Sequence, residues 1–371
     1  MAKTVVVIGG SLAGLSITHQ LLKYSLPRHK DLKVILISRN SHFYWVPGAV
    51  RAVVPGQVKD EELIRPIEPG LKQYPAGSVD FIAADATNVN FDDQTVQIST
   101  EDTTKEIAYD YLVLATGSRQ ADPSTPWKAS GSYEELVTSL HTTAESIQKA
   151  SHIVIAGGGS TGVEVAAEIR YQFKDKEVVL LSASDALVGG DSTATSVESE
   201  LKKLGVVVRK GVKAVSTEPA ATGQTTVVLS NGESLVTDFY LPTTGLLPNT
   251  DFLPTNVLTE TKYADVDDFF QLKQHKNVWA AGDIVSRPRA GFLYTEAQAT
   301  GVAQNIKLVL DGQSQKPVRG PFADVLVFAM GKSRGVGRIG PVPVPSLGVW
   351  VAKARTLGME RTKKYVDGSL W

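Results

Sequence analysis

Two glycine-rich turns, each fed by an apolar strand, constrain this chain more than any other feature. Residues 5–14 read Val-Val-Val-Ile-Gly-Gly-Ser-Leu-Ala-Gly, and residues 153–162 read Ile-Val-Ile-Ala-Gly-Gly-Gly-Ser-Thr-Gly. In the first, four apolar residues predict a buried strand, and Gly9, Gly10 and Gly14 predict a tight turn into a helix. Such a turn lets backbone N–H groups approach a pyrophosphate with no Cβ in the way, and the following helix N-terminus adds partial positive charge. One such turn also has a plain packing explanation. Two, each between a strand and a helix, point to two dinucleotides and to electron transfer between them. The expected class is α/β, with two Rossmann-like units.

The 371 residues are enough for two or three domains. With 42% apolar and 21% charged residues the chain reads as an ordinary globular protein. The net charge of −1 gives no general attraction to nucleic acid. The chain has no cysteine, which excludes disulfides, zinc–thiolate sites, iron–sulfur clusters and a redox-active cysteine pair; no metal is expected. No apolar run reaches the ~18 residues of a membrane span. The first strand starts at Thr4, leaving no room for a leader. Ala2 stands where N-myristoylation needs glycine. The expected location is cytoplasmic rather than secreted, with attachment to an organelle membrane left open.

The first unit runs over residues 4–38, with a helix from about Leu12 and a second strand over Lys33–Ile37. Ser38, Arg39 and Asn40 stand where such units usually carry an acidic residue for the ribose; Ser38 or Asn40 could bond a ribose instead. Ser11 replaces the middle glycine and is small enough to keep the approach open. Residues 41–51 (Ser-His-Phe-Tyr-Trp-Val-Pro-Gly-Ala-Val-Arg) read either as a helix entry with buried rings or as a wall of the cofactor site with Arg51 near the pyrophosphate. Residues 109–118 predict a strand ending in the small-residue turn Ala115-Thr116-Gly117, and 119–132 a crossover linker. The second unit carries Glu164 and Glu168 on its helix. Its second strand, Glu177–Leu181, ends in Ser182-Ala183-Ser184, which leaves NADH against NADPH undecided. Helix 191–204 and strands 225–229 and 234–240 follow. Thr243-Thr244-Gly245 echoes the earlier turn, and 277–284 is an apolar strand ending in Gly282-Asp283. A helix over Tyr294–Leu310 comes next. From 332 to 364 eight basic residues face only Glu360. That segment reads as a solvated surface, an anionic-membrane contact or an electrostatic funnel.

In this order the motifs resemble the two-dinucleotide-binding flavoprotein reductases of the glutathione-reductase type. The nearest likeness is to the apoptosis-inducing-factor-like, mitochondrion-associated flavoproteins, the group that contains ferroptosis suppressor protein. It rests on Gly157–Ile169, on Met330-Gly-Lys-Ser-Arg-Gly-Val-Gly337 and on Ala352-Lys-Ala-Arg-Thr-Leu357. Ile8–Gly14 and Phe43-Tyr-Trp45 look like fungal members. The resemblance implies a discontinuous FAD-binding domain (1–120 and 246–314), an NAD(P)H-binding domain (121–245) and a small C-terminal domain (315–371). It implies FAD on Gly9, Gly10, Ser11, Ala13 and Gly14, with Ser38, Arg39, Arg51, Ala115, Thr116, Gly117, Gly282, Asp283 and Tyr294 as further contacts. NADH or NADPH would lie on Gly157, Gly158, Gly159, Ser160, Thr161 and Gly162, with Gly245 lining its path. Glu164 would sit near the nicotinamide, and Lys353 near the flavin.

The activity implied is an FAD-dependent NAD(P)H oxidoreductase with a quinone or other small molecule as acceptor. The lack of cysteine points away from disulfide acceptors. A flavin monooxygenase or oxidase of secondary metabolism is one alternative. Another is a signalling flavoprotein using its basic tail on nucleic acid or membrane, although −1 net charge makes nucleic acid an unfavoured partner. A monomer and a homodimer are both open.

Overall fold

The computed structural model describes residues 3–100, 103–220, 223–285, 287 and 290–371; Ala2 lies outside them. Two parallel sheets organise the chain. The first has five parallel strands, in the order 275–280, 111–114, 3–8, 32–38 and 79–83, with a short antiparallel strand (Gln271–Leu272) at one edge. Val5, Val6, Val7, Leu112, Val113 and Leu114 are fully buried in its centre. Continuous apolar runs of this kind suit strands covered on both faces. Helices Leu12–Tyr24 and Phe292–Leu310 pack together against it.

The second sheet is parallel throughout, in the order 206–209, 177–181, 152–156 and 239–242. Each parallel sheet is accompanied by an antiparallel three-stranded sheet: residues 85–90, 95–99 and 104–108 beside the first, and 214–219, 225–229 and 234–237 beside the second. The chain leaves the first sheet at 118–120 and returns at 246–248. These two crossings pair antiparallel, Ser118 opposite Pro248. A third unit, strands 325–329, 335–339 and 342–344, carries the helical segment 346–354.

Three expectations change. The strand expected over 234–240 is two strands in different sheets. Asp238 makes the break: its carboxylate accepts from the Ser151 and His152 amides at 2.8 Å, so the chain changes direction there. Within 41–51, residues 42–44 form a strand paired with 64–66, and the helical segment expected there, with its buried rings ahead of it, begins only at Val46. The helix expected from 191 starts at Ala194, because Asp191 bonds the Thr193 amide (2.9 Å) and hydroxyl (2.8 Å).

Asp191 also receives Arg338 of the third unit at 2.6 Å. That hydrogen bond, with those of Thr193, holds the Asp191 carboxyl down at about 2 against the cost of burial. A carboxylate with a depressed folded-state pKa adds stability above its unfolded value and loses it as pH falls through the folded one. The Asp191→Asn protein should therefore be less stable than wild type by about 2 kcal/mol at pH 7. In urea titrations the gap should narrow between about pH 4 and pH 2; a gap independent of pH would contradict this reading.

Candidate functional site

The two glycine turns have the same build. In the first, Gly9 has φ +117°, and a Cβ there would lie 2.2 Å from the Ala115 carbonyl oxygen. In the second, Gly157 has φ +128°, and a Cβ would lie 2.4 Å from Thr243 Oγ1 and 2.8 Å from Thr244 Cγ2. The Ala-Thr-Gly and Thr-Thr-Gly turns thus each lie directly against a glycine turn. Gly14 and Gly162 close the turns, each with its would-be Cβ under 2 Å from the carbonyl oxygen of Gly9 or Gly157. Ser11 and Gly159 begin the two helices in extended backbone, and neither helix receives a side-chain cap. Both positions are exposed. Uncapped amides at an open helix N-terminus can take an anion.

Ser38 and Ser182 end the second strands. Each is buried, and each would meet a Cβ at Gly10 or Gly158 at 2.7 Å. Their hydroxyls donate to the Asn40 carbonyl (2.8 Å) and the Ser184 carbonyl (3.0 Å). Ser38 is therefore tied to its own loop rather than turned outward to a ribose. Arg39 pairs with Asp85 and donates to the Ser130 carbonyl at 3.0 Å.

Asp283 and Thr116 are held from both sides of the crossings. Asp283 accepts from Ser118 (3.0 Å) and from Lys128 (2.6 Å). Burial alone would push its carboxyl up; the Lys128 ammonium and the two hydrogen bonds outweigh that, and the shift is downward. Thr116 donates to the Asn249 carbonyl at 2.7 Å, and the Asn249 amide returns a bond to the Thr116 carbonyl at 2.8 Å. Gly282 donates its amide to Gln298 at 2.8 Å, and its would-be Cβ lies 3.3 Å from Ala13. Gly117 has φ +67° with open space beside it. Gly245 (φ +85°) lies against Ala121. Tyr294, in the first turn of helix 292–310, donates to Asp324 at 3.1 Å. Lys128, Asn249 and Gln298 were not legible as site residues, because their partners come from distant stretches of chain.

Glu164 and Lys353 meet. Lys353 Nζ lies 2.7 Å from Glu164 Oε1, which also accepts the Ala329 amide at 2.7 Å. Lys353 also donates to the Val327 carbonyl at 3.1 Å.

Arg51 corrects an expectation. It is 1% exposed and grips Glu168, itself fully buried, through Nε (3.0 Å) and Nη2 (2.6 Å). The rest of its guanidinium donates to the carbonyls of Ala354 and Arg355. It is a buried strut rather than a pyrophosphate ligand. Burial pushes the Glu168 carboxyl up, against the pull of Arg51. Phe43, Tyr44 and Trp45 are buried too; Trp45 donates to the Leu357 carbonyl at 2.8 Å, and Phe43 stacks on Tyr365. Phe43 and Trp45 bind the C-terminal segment to the first unit, while Tyr44 donates to the Pro126 carbonyl at 2.9 Å.

A family model described as pyridine nucleotide-disulphide oxidoreductase matches residues 3–309. The chain is 33% identical to "Oxidoreductase ptaL" of Pestalotiopsis fici, over 99% of this chain and 100% of that protein. It is 27% identical to "Ferroptosis suppressor protein 1" of Xenopus tropicalis, over 97% and 95%. Among solved structures, the sulfide:quinone oxidoreductase of Aquifex aeolicus superposes with a TM-score of 0.78 at 20% identity, covering 99% of this chain and 92% of that one. That likeness concerns the fold alone.

Proposed function

The chain belongs to the pyridine nucleotide-disulphide oxidoreductase family, a family that works with FAD and a nicotinamide nucleotide, and from that premise we propose that it passes electrons from NAD(P)H through FAD to a quinone-type acceptor. The observation that carries the proposal is the pair of matched glycine cradles on separate sheets, with Glu164 and Lys353 joined at the C-terminal segment. Residues 1–120 and 246–314 would hold FAD on the Gly9–Gly14 turn. Residues 121–245 would hold the nicotinamide nucleotide on Gly157–Gly162, and residues 315–371 would shape the acceptor side. When bound, FAD supplies hydride acceptance and onward electron transfer. The protein's part is to orient and to set charge. Glycines 9, 14, 157 and 162 keep the cradles open. Asp283, fixed by Ser118 and Lys128, presents a carboxylate acceptor beside the first. Lys353 supplies positive charge next to Glu164, which orients it.

The quinone assignment draws on the resemblance to the ferroptosis suppressor protein group and on the absence of cysteine, which removes any dithiol step within this chain. It is tested by mixing reduced protein with a soluble short-chain quinone, with oxidised glutathione, or with oxygen alone. Reoxidation by quinone should be at least about tenfold faster than by oxygen, the selectivity of a site that positions its acceptor. Oxygen as the fastest acceptor would favour the oxidase or monooxygenase alternative.

A lipid-dissolved quinone would require contact with a membrane surface. Among the described residues no helix is long and apolar enough to cross a membrane. The third unit instead exposes Ile339 and Val342, which pair across the sheet, and Leu347 and Val351, one helical turn apart. No carboxylate occurs between 325 and 359. Apolar side chains beside basic ones suit an interfacial surface. The protein should float with phosphatidylcholine–phosphatidylserine vesicles, and the Val342→Glu/Leu347→Glu protein, altered outside the turn that carries Lys353, should not. Wild-type protein left unbound would contradict membrane contact.

A further inference from the structure

The helix of the second glycine turn carries two buried carboxylates one turn apart, Glu164 and Glu168, and both are tied to the same stretch of the C-terminal segment. Glu164 holds Lys353 directly. Glu168 holds Arg51, and Arg51 donates to the carbonyls of Ala354 (Nη2, 2.7 Å) and Arg355 (Nη1, 3.1 Å), the two residues that follow Lys353. Lys353 itself lies in a widened π turn, Trp350–Ala354, closed by the Arg355 amide on the Trp350 carbonyl at 3.0 Å. Such turns are rare and frequent at functional sites, and this one has support from outside the helix. Here Arg51 supplies it, with one edge of its planar fork on the carboxylate and the remaining donor directions on the carbonyls. Arg51 comes from the short helix Ala49–Ala52 near the first sheet, Glu168 from the second unit, and the carbonyls from the third. One guanidinium therefore ties all three parts of the chain together beside Lys353.

We propose that Arg51 and Glu168 are positioning residues that set where the Lys353 ammonium stands relative to Glu164. The inference rests on the proposed function in one respect, that Lys353 acts on the redox centre. Neither residue needs to touch a ligand; both act through the backbone that carries Lys353.

Lysine at position 51 would keep a charge for Glu168 but lose the fork that grips the carbonyls. Flavin-loaded full-length Arg51→Lys, Lys353→Met and the double variant are compared by the rate of flavin reduction and by the flavin midpoint potential. Hydrogen–deuterium exchange of residues 350–357 adds a readout independent of activity. Arg51→Lys should slow reduction about tenfold, the scale of a slightly misplaced group, and should lose exchange protection over 350–357. In the Lys353→Met background the same substitution should change the rate by less than about twofold, since residues acting as one unit are not additive. If Arg51→Lys does not fold, Glu168→Gln, which keeps the shape and an acceptor for Arg51, should show the same non-additivity. Effects that multiply while Lys353→Met is itself impaired, or unchanged protection over 350–357, would overturn the positioning role alone. A Lys353→Met protein with wild-type rate and potential would overturn the reading of Lys353 under the proposed function, and this inference with it.

Discussion

Gly159→Asp should leave the fold and the flavin in place while weakening NAD(P)H about 100-fold, equivalent to roughly 2.7 kcal/mol. Unlike the other cradle glycines, Gly159 has no steric reason to be glycine. Its φ is −78°, and a Cβ there meets nothing within 4 Å. It is the N-cap of helix 160–172, where aspartate is a better cap than glycine. On structural grounds alone the substitution should be neutral or slightly stabilising. If the turn holds a pyrophosphate, a carboxylate at the same helix N-terminus competes for the amides and repels the ligand. Stability and nucleotide affinity should thus move in opposite directions, which a binding titration alongside urea unfolding would read. Unchanged affinity would mean that the second turn does not hold the nucleotide. Gly14 makes the contrast: a Cβ there lies 1.7 Å from the Gly9 carbonyl oxygen, so a side chain at that position disturbs the turn itself.

Arg51→Ala should cost about 3–5 kcal/mol of stability, the scale for breaking one side of a buried ion pair. Arg51 and Glu168 have side chains 1% and 0% exposed. Removing the guanidinium leaves the Glu168 carboxylate without its partner and deprives two carbonyls of their donor. The double change Arg51→Met/Glu168→Leu should recover most of the loss, because apolar packing of similar volume often matches a buried pair. Denaturant unfolding of the three proteins measures this. A loss under about 1 kcal/mol for Arg51→Ala would mean that water reaches Glu168 and that the strut is weaker than its geometry indicates.

The parts of this molecule legible in its sequence are those set by local pattern. Uninterrupted apolar runs such as Val5–Ile8 and Ile153–Ala156 announce buried parallel strands, and the glycines after them announce the turns. The Asn231-Gly232 hairpin and the strand over Glu177–Leu181 were legible for the same reason. The helix Tyr133–Lys149 also has a local signature, Ser132 and Glu135 in a capping box. What the sequence hides is which distant side chains meet. Arg51 after an aromatic run resembles a phosphate ligand, and nothing local reveals that its partner stands 117 residues away on another sheet's helix. Ser38 looks like a spare ribose ligand until its packing against Gly10 is seen. Lys128 lies in a polar linker with no motif, yet it holds Asp283. Asp238, one residue in a run that reads as a single strand, sends its two halves to different sheets.

Anaerobic stopped-flow mixing of the purified yellow protein with NADH, and separately with NADPH, tests the central claim of two cooperating dinucleotide cradles most directly. Rapid bleaching of the flavin band by at least one of the two nucleotides, and its return on adding a soluble quinone, is the expected result. Protein that carries flavin but is bleached by neither nucleotide, or protein that binds no flavin at all, would contradict it.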